Sequence, residues 1–242
     1  MYTSRDNDYL MEIRRTNPEI YEFIQRITTE FQYEIRLGCH DICNIISLIF
    51  GNFQLIELIN PELKQNPRWN QMDEDIRYLV KTMEAISIYR YSNKIQPVST
   101  DVRTFLDTFS ETILNNTVYA SLHFNLIVDS ELPEILLDTS KITYIMESLL
   151  NNIVDNALPA DVTIRARCDQ SDLLIEISDN ISKIAPEIKE SLFHPFTTNK
   201  QYHPGLSLAS SYRIMMAHGG ALEYKPNSSG DCCFLLRFKN II

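Results

Sequence analysis

The chain has 242 residues, 44% of them hydrophobic and 22% charged, and a formal net charge of −10. That length and composition support a packed core in one large domain or two ordinary ones. The acidic balance argues against nucleic acid or an anionic membrane as a partner, and six glycines leave little for a glycine-rich phosphate loop.

The opening MYTSRDNDYL is polar and reads as no signal peptide. Pro18 to about Ile59 reads as one long helix. Its seam runs Ile20, Ile24, Ile27, Phe31, Ile35, Gly38, Ile42, Ile45, Ile49, Phe53 and Ile56, in the mixed steps of three and four that mark a coiled coil. Asn60-Pro61 ends it. A second helix starts near Trp69, carries Met72, Ile76, Leu79, Met83 and Ile86, and fades at Tyr91-Ser92-Asn93. Two long helices joined by a short link form an antiparallel hairpin. Such a hairpin cannot bury its apolar face alone, so a homodimeric four-helix bundle is expected.

From Lys94 the texture changes. Gln96-Pro97-Val98 is extended, and Ser99 or Thr100 can cap a helix to about Asn115, with Val102, Phe105, Leu106 and Phe109 on one face. Leu122 to Val128 alternates as a strand, and Pro133 to Leu137 is short and extended. Asp138 or Ser140 opens another helix, with Ile142, Ile145, Leu149, Ile153 and Val154 inward. Val162 to Arg167 and Leu173 to Ser178 pair as a hairpin. Helical stretches follow at Pro186 to Phe193 and Leu206 to His218, the latter stopped by Gly219-Gly220. Ala221 to Tyr224 and Cys232 to Phe238 close as strands. Residues 1–94 are thus a helical hairpin, and 95–242 an α+β domain with helices over a mixed sheet.

Cys39, Cys43, Cys168, Cys232 and Cys233 have no framework spacing and read as free thiols of a reducing compartment. Adjacent Cys232 and Cys233 point to opposite faces of a strand. No apolar run approaches the ~18 residues of a membrane span. The expectation is a cytoplasmic chain with no membrane anchor.

One polar cluster interrupts the first helix, in GCHDICNIISLIF at 38–50. Gly38 and Ile42 lie on the seam, each two residues from His40, about 200° around the helix, so His40 points away from the hairpin core. Asn44 shares its face, and Asp41 is the next residue. The cluster can be a plain solvated face. It makes a poor metal site, lacking a second His or Cys at ligand spacing on that face. It can also be an exposed nucleophile: one ring nitrogen of a neutral imidazole attacks a phosphoryl group while a carboxylate orients the ring through the other.

His40-Asp41-x-x-Asn44 on the first helix of a hairpin resembles the phosphoacceptor box of two-component histidine kinases. The second domain resembles the ATP-binding domain of that family, related to gyrase and Hsp90, and the likeness spans about residues 18–240. Asn152-Ile153-Val154-Asp155-Asn156-Ala157 is similar to the family's Asn box, which implies Asn152 and Asn156 at a nucleotide site and Asn156 as an oxygen ligand of Mg²⁺ when Mg-ATP binds. Asp179 stands where the family Asp holds adenine. The glycines of that box are replaced by Ile181 and Lys183, and a β-branched side chain resists the positive φ that Gly supplies. Residues 192–200 match the family's Phe box, a packing element. Gly205 is the one glycine left of three in the phosphate loop, with His203 and Ser207 in the other positions. Basic or aromatic residues after the Asn box give way to Leu158-Pro159-Ala160-Asp161.

The resemblance therefore implies an α+β chain: a long hairpin forming a dimeric four-helix bundle, followed by an α/β-sandwich ATPase-like domain with an eroded nucleotide site. The favoured function is a histidine phosphotransferase of a phosphorelay, similar to sporulation phosphotransferases. His40 carries a phosphoryl group between response regulator receiver domains, Asp41 and Asn44 assist, and no cofactor is required. The alternative is an ATP-dependent histidine kinase that phosphorylates its own His40 with Mg-ATP. A second alternative is a non-catalytic module that binds receivers. Neither nucleic acid nor membrane is an expected partner.

Overall fold

The structure, a computed structural model, describes residues 4–156, 158–184, 186–226 and 232–239. The chain divides into two compact units, Met1–Met83 and Glu84–Ile242. The division falls before the expected 94/95, because the end of the second hairpin helix packs with the second unit. The Arg213 guanidinium lies over the Tyr89 ring at 4.6 Å, and Ser92 is fully buried.

The first unit holds α1 (Ser4–Thr16), α2 (Pro18–Ile59), a 3-10 turn at Pro61–Gln65, and most of α3 (Pro67–Tyr91). Helix α1 was not expected. It is polar nearly all round, so no periodic apolar signal marks it. Asn17 separates it from α2, its side chain accepting from the Ile20 N–H at 3.2 Å with Pro18 at the first helical position. The Asn60 N–H closes α2 on the Ile56 carbonyl at 2.9 Å, and Pro61 cannot continue the ladder.

The expected hairpin forms, but the covered stripe differs from the expected seam. Ile46 and Phe53 are buried, and Cys39, Cys43, Phe50 and Glu57 are half-buried on the same line. Trp69 of α3 stacks on Phe53, with ring centroids 4.2 Å apart, and its indole N–H reaches Glu57 at 3.4 Å. Arg77 covers the Phe50 ring at 5.5 Å. Ile42, Ile45 and Ile49 of the expected seam are instead 50%, 58% and 50% exposed. Helix α2 carries two adjacent apolar stripes, about 100° apart, and the hairpin uses only one. Together they also make α2 long and apolar enough to cross a membrane, with a mean hydropathy of 1.7 over its most apolar window. Asn44, Asn52, Gln54 and Glu57 break the run and hide this property from a search for unbroken apolar sequence.

The second unit is a two-layer sandwich. Five strands order as β2 (Leu122–Val128), β4 (Ala160–Asp169), β5 (Asp172–Asp179), β7 (Cys232–Phe238) and β6 (Ala221–Tyr224), with β2 and β4 parallel and the other neighbours antiparallel. The small pair β1 (Val98–Asp101) and β3 (Glu134–Leu137) stands apart. Helices α4 (Val102–Leu114), α5 (Thr139–Val154) and α6 (Ser207–Ala217) pack on the sheet. Their inward residues meet Val162, Ile164, Ile175, Ile177, Phe234 and Leu236 in one core. Asp101, not Ser99 or Thr100, caps α4. Only the 3-10 turn Pro186–Ile188 forms where a helix to Phe193 was expected. Cys39, Cys43, Cys168 and Cys233 are free thiols. The side chain of Cys232 lies outside the described residues, so its facing is not assigned.

Candidate functional site

His40 projects from the middle of α2 with its side chain 69% exposed, beside an Asp41 carboxyl that is 77% exposed. Asp41 Oδ1 and Asn44 Nδ2 both lie 3.3 Å from the same ring atom, Nδ1. One nitrogen cannot donate to Asp41 and accept from Asn44 at once. With Nδ1 protonated toward Asp41, the Asn44 amide turns its oxygen to the ring, and Nε2 keeps its lone pair facing solvent. A side-chain contact this exposed adds little stability. What it does is choose the tautomer. His40 is exposed as expected, although the seam it was placed against is itself exposed; it sits one residue, about 100°, from the covered line of Cys39, Cys43 and Ile46.

The second cluster gathers at the C-terminal end of α5. Asn152 is half-buried in its last turn, while Asn156 falls just beyond the helix rather than on it. The Asn156 amide N–H donates to Ser182 Oγ at 3.0 Å. That bond leaves the amide oxygen, the hard donor that magnesium prefers, turned to its other side. An exposed amide oxygen fits such an ion as one ligand beside phosphate oxygens. Among the described residues no group of three or more His, Cys, Asp or Glu side chains could hold a metal by itself.

Asp179 ends β5 buried, 6% exposed, and its Oδ1 accepts the backbone N–H groups of Ile181 and Ser182. The carboxylate therefore shapes its own loop. Ile181 and Ile184 pack on the core from that loop, which is how the chain tolerates the lost glycines. Asn180 is braced from outside: its amide donates to Asp161 at 2.8 Å, and Asp161 pairs with His123 at 2.9 Å.

Gly205 lies at φ +67°, and a Cβ there would stand 2.8 Å from the Thr197 carbonyl oxygen. Its own carbonyl accepts the Phe196 N–H at 2.9 Å. The retained glycine is a close backbone contact as well as a turn. In the Phe box, Phe193 stacks on Tyr212 at 5.4 Å, but Phe196 is 66% exposed and packs little. Asp155, Lys200 and His203 meet where the expected site residues converge, with His203 Nε2 2.9 Å and Lys200 Nζ 3.9 Å from Asp155 Oδ2. Sequence reading passed over Asp155, although a lone carboxylate inside an Asn-rich helix end was a usable signal.

The geometry also explains His218-Gly219-Gly220. His218 Nδ1–H donates to the Ile214 carbonyl at 2.8 Å, and its Nε2 accepts the Asp138 N–H at 3.0 Å. The histidine ties the end of α6 to the start of α5.

Residues 137–241 match the family model for the Histidine kinase-, DNA gyrase B-, and HSP90-like ATPase. Sensor protein KdpD of Clostridium acetobutylicum is 25% identical over 214 residues, covering 84% of this chain and 23% of that protein. The chain thus spans about a quarter of that relative. Full-length ShkA in complex with AMPPNP aligns with a TM-score of 0.70 at 18% identity, over 85% of this chain and 45% of that one. The histidine kinase ThkA, solved in complex with the response regulator protein TrrA, aligns at 0.60 and 18% identity, over 96% of this chain and 66% of that one.

Proposed function

From a chain of the two-component histidine-kinase type, with a histidine-kinase-like ATPase domain behind a helical hairpin, we propose an ATP-dependent histidine kinase that phosphorylates His40 and passes the phosphoryl group to a receiver domain. This reverses the preference drawn from the eroded boxes. The observation that carries it is the nucleotide-type site itself: buried Asp179, Gly205 at positive φ, and Asn152, Asn156 and Lys200 remain gathered around one end of α5.

Asp41 takes the Nδ1 proton's hydrogen bond and leaves the Nε2 lone pair outward. His40 Nε2 attacks the terminal phosphoryl group of the nucleotide. The N–P bond forms as the bond to the leaving diphosphate oxygen breaks. Magnesium, with the Asn156 amide oxygen among its ligands, would supply positive charge at the phosphates. Phospho-His40 then meets the aspartate of a receiver, and the P–N bond breaks as the acyl phosphate forms. The regulator complex of ThkA supports a receiver as partner. The exposed stripe Ile42, Ile45 and Ile49 supports a second copy of this chain as the bundle partner. Both substrates belong to the cytoplasm, where we place the reaction.

A second reading, the phosphotransferase without ATP, is favoured by one observation. Ile181 packs on the core from the loop where the family glycines leave room for the base. Incubation with radiolabelled Mg-ATP, and separately with a phosphorylated receiver, decides. The kinase reading expects acid-labile label from ATP that is lost in His40→Gln. Label from the receiver alone would replace it with the phosphotransferase. Label from neither source would remove His40 from both roles.

A further inference from the structure

Three ionisable side chains outside the phosphoacceptor cluster form a contact that no glycine-rich phosphate loop could make. His203 Nε2 lies 2.9 Å from Asp155 Oδ2, and its Nδ1 lies 2.9 Å from the Gln201 carbonyl oxygen. Both partners are acceptors, so the two bonds form together only when the ring donates from both nitrogens and is cationic. Lys200 Nζ lies 3.9 Å from the same Asp155 oxygen and 3.4 Å from the Asn152 carbonyl. One carboxylate at the end of α5 thus holds two basic side chains of the 200–205 loop. That loop continues through Gly205, whose carbonyl takes the Phe196 N–H, and into the N-terminus of α6, which no side chain caps. The three side chains are only 27% to 39% exposed, so water screens the contact in part.

We propose that Asp155 is an internal stand-in for a phosphate group, latching the 200–205 loop to α5 through His203 and Lys200 until an anionic ligand takes those two side chains from it. A carboxylate and a phosphate present the same chemistry to an imidazolium and an ammonium: acceptor oxygens with negative charge. A nucleotide opens the latch because its phosphates replace what the loop loses. A nucleoside offers no such exchange. His203 therefore sets a threshold for ligand charge at one of the loop positions where the family pattern has a glycine. The identity of the ligand rests on the nucleotide-site reading above, whereas the latch rests on the contacts alone.

Hydrogen–deuterium exchange of the full chain, free of nucleotide, tests the latch. Asp155→Asn and His203→Gly should each speed exchange of the amides at 198–206 by about tenfold, while the β4–β5 amides, which report that the fold is intact, stay unchanged. Titration with AMPPNP and with adenosine, both with magnesium, tests the exchange of partners. Asp155→Asn keeps both basic groups but removes most of their internal competitor, so AMPPNP should bind about tenfold tighter than to the native chain, with adenosine unmoved. His203→Gly should show no such gain. Unchanged loop exchange in both variants would overturn the latch. Faster exchange with AMPPNP binding no tighter in Asp155→Asn would overturn the phosphate competition. Faster exchange with AMPPNP binding to none of the three chains would keep the latch and remove the nucleotide-site reading instead.

Discussion

The carboxylate of Asp138 accepts the Ser140 hydroxyl at 2.6 Å and the Lys141 N–H at 3.1 Å on one oxygen, and the Gln96 N–H at 2.8 Å on the other. Burial works against its charge and pushes its pKa up. The bonds from Ser140, Gln96 and Lys141, with the nearby His218, outweigh burial and hold it below the usual carboxylate range. A depressed folded pKa means that this stabilisation is present above the unfolded value, about 3.9, and is lost as pH falls through the lower folded value. Asp138→Ala should therefore cost about 1–2 kcal/mol at pH 7, by denaturant unfolding, and the gap to the native chain should narrow below about pH 4. A gap of constant size down to pH 2 would assign the loss to packing alone. Asp138 was legible as a cap, since an Asp before an apolar period is a helix start. Its bond to His218 joins residues far apart in the chain, and no local pattern reports it.

Helix α2 shows what periodicity reads and what it leaves open. Heptad spacing identified an apolar seam, but two stripes one residue apart satisfy nearly the same spacing. Which one meets α3 depends on where α3 lies. The Phe53–Trp69 stack and Glu57 rotate the hairpin onto the Ile46 stripe. The stripe left outside, Ile42, Ile45 and Ile49, is the seam that the proposed dimer would use. Each isoleucine is already about half covered in the single chain, so burying the remainder there is worth roughly 1 kcal/mol. Ile45→Glu should weaken self-association at least tenfold by sedimentation, while Gln54→Glu, also exposed but polar, should change it little. Equal behaviour of the two variants would move the dimer seam elsewhere.

At the scale of the molecule, the two units differ in what stabilises them. The second has its own core from Val102 to Phe238, whereas the first has Ile46 and Phe53 as its only buried apolar side chains among the described residues. The lone tryptophan, Trp69, reports on the first unit. Cys233, whose thiol burial pushes up to about 11, reports on the second by resisting alkylation at neutral pH. Unfolding followed by Trp69 fluorescence should shift to lower denaturant on dilution, as a concentration-dependent dimer requires, while protection of Cys233 should not move. Coincident transitions at every concentration would mean that the units unfold as one.

Residue order alone determined a good deal: the helical hairpin, the β4–β5 strand pair of the second unit, the exposure of His40, and the retention of Asp179 and Gly205. These follow from periods of 3.6 and 2 and from backbone freedoms that belong to single residues. Tertiary structure decided which stripe of α2 is covered, that Ile181 fills space beside the core, and that Asp155 meets His203 and Lys200. Each of these joins side chains from elements distant in sequence. Their distances are set by how helices and sheet pack, and a one-dimensional period carries no information about that.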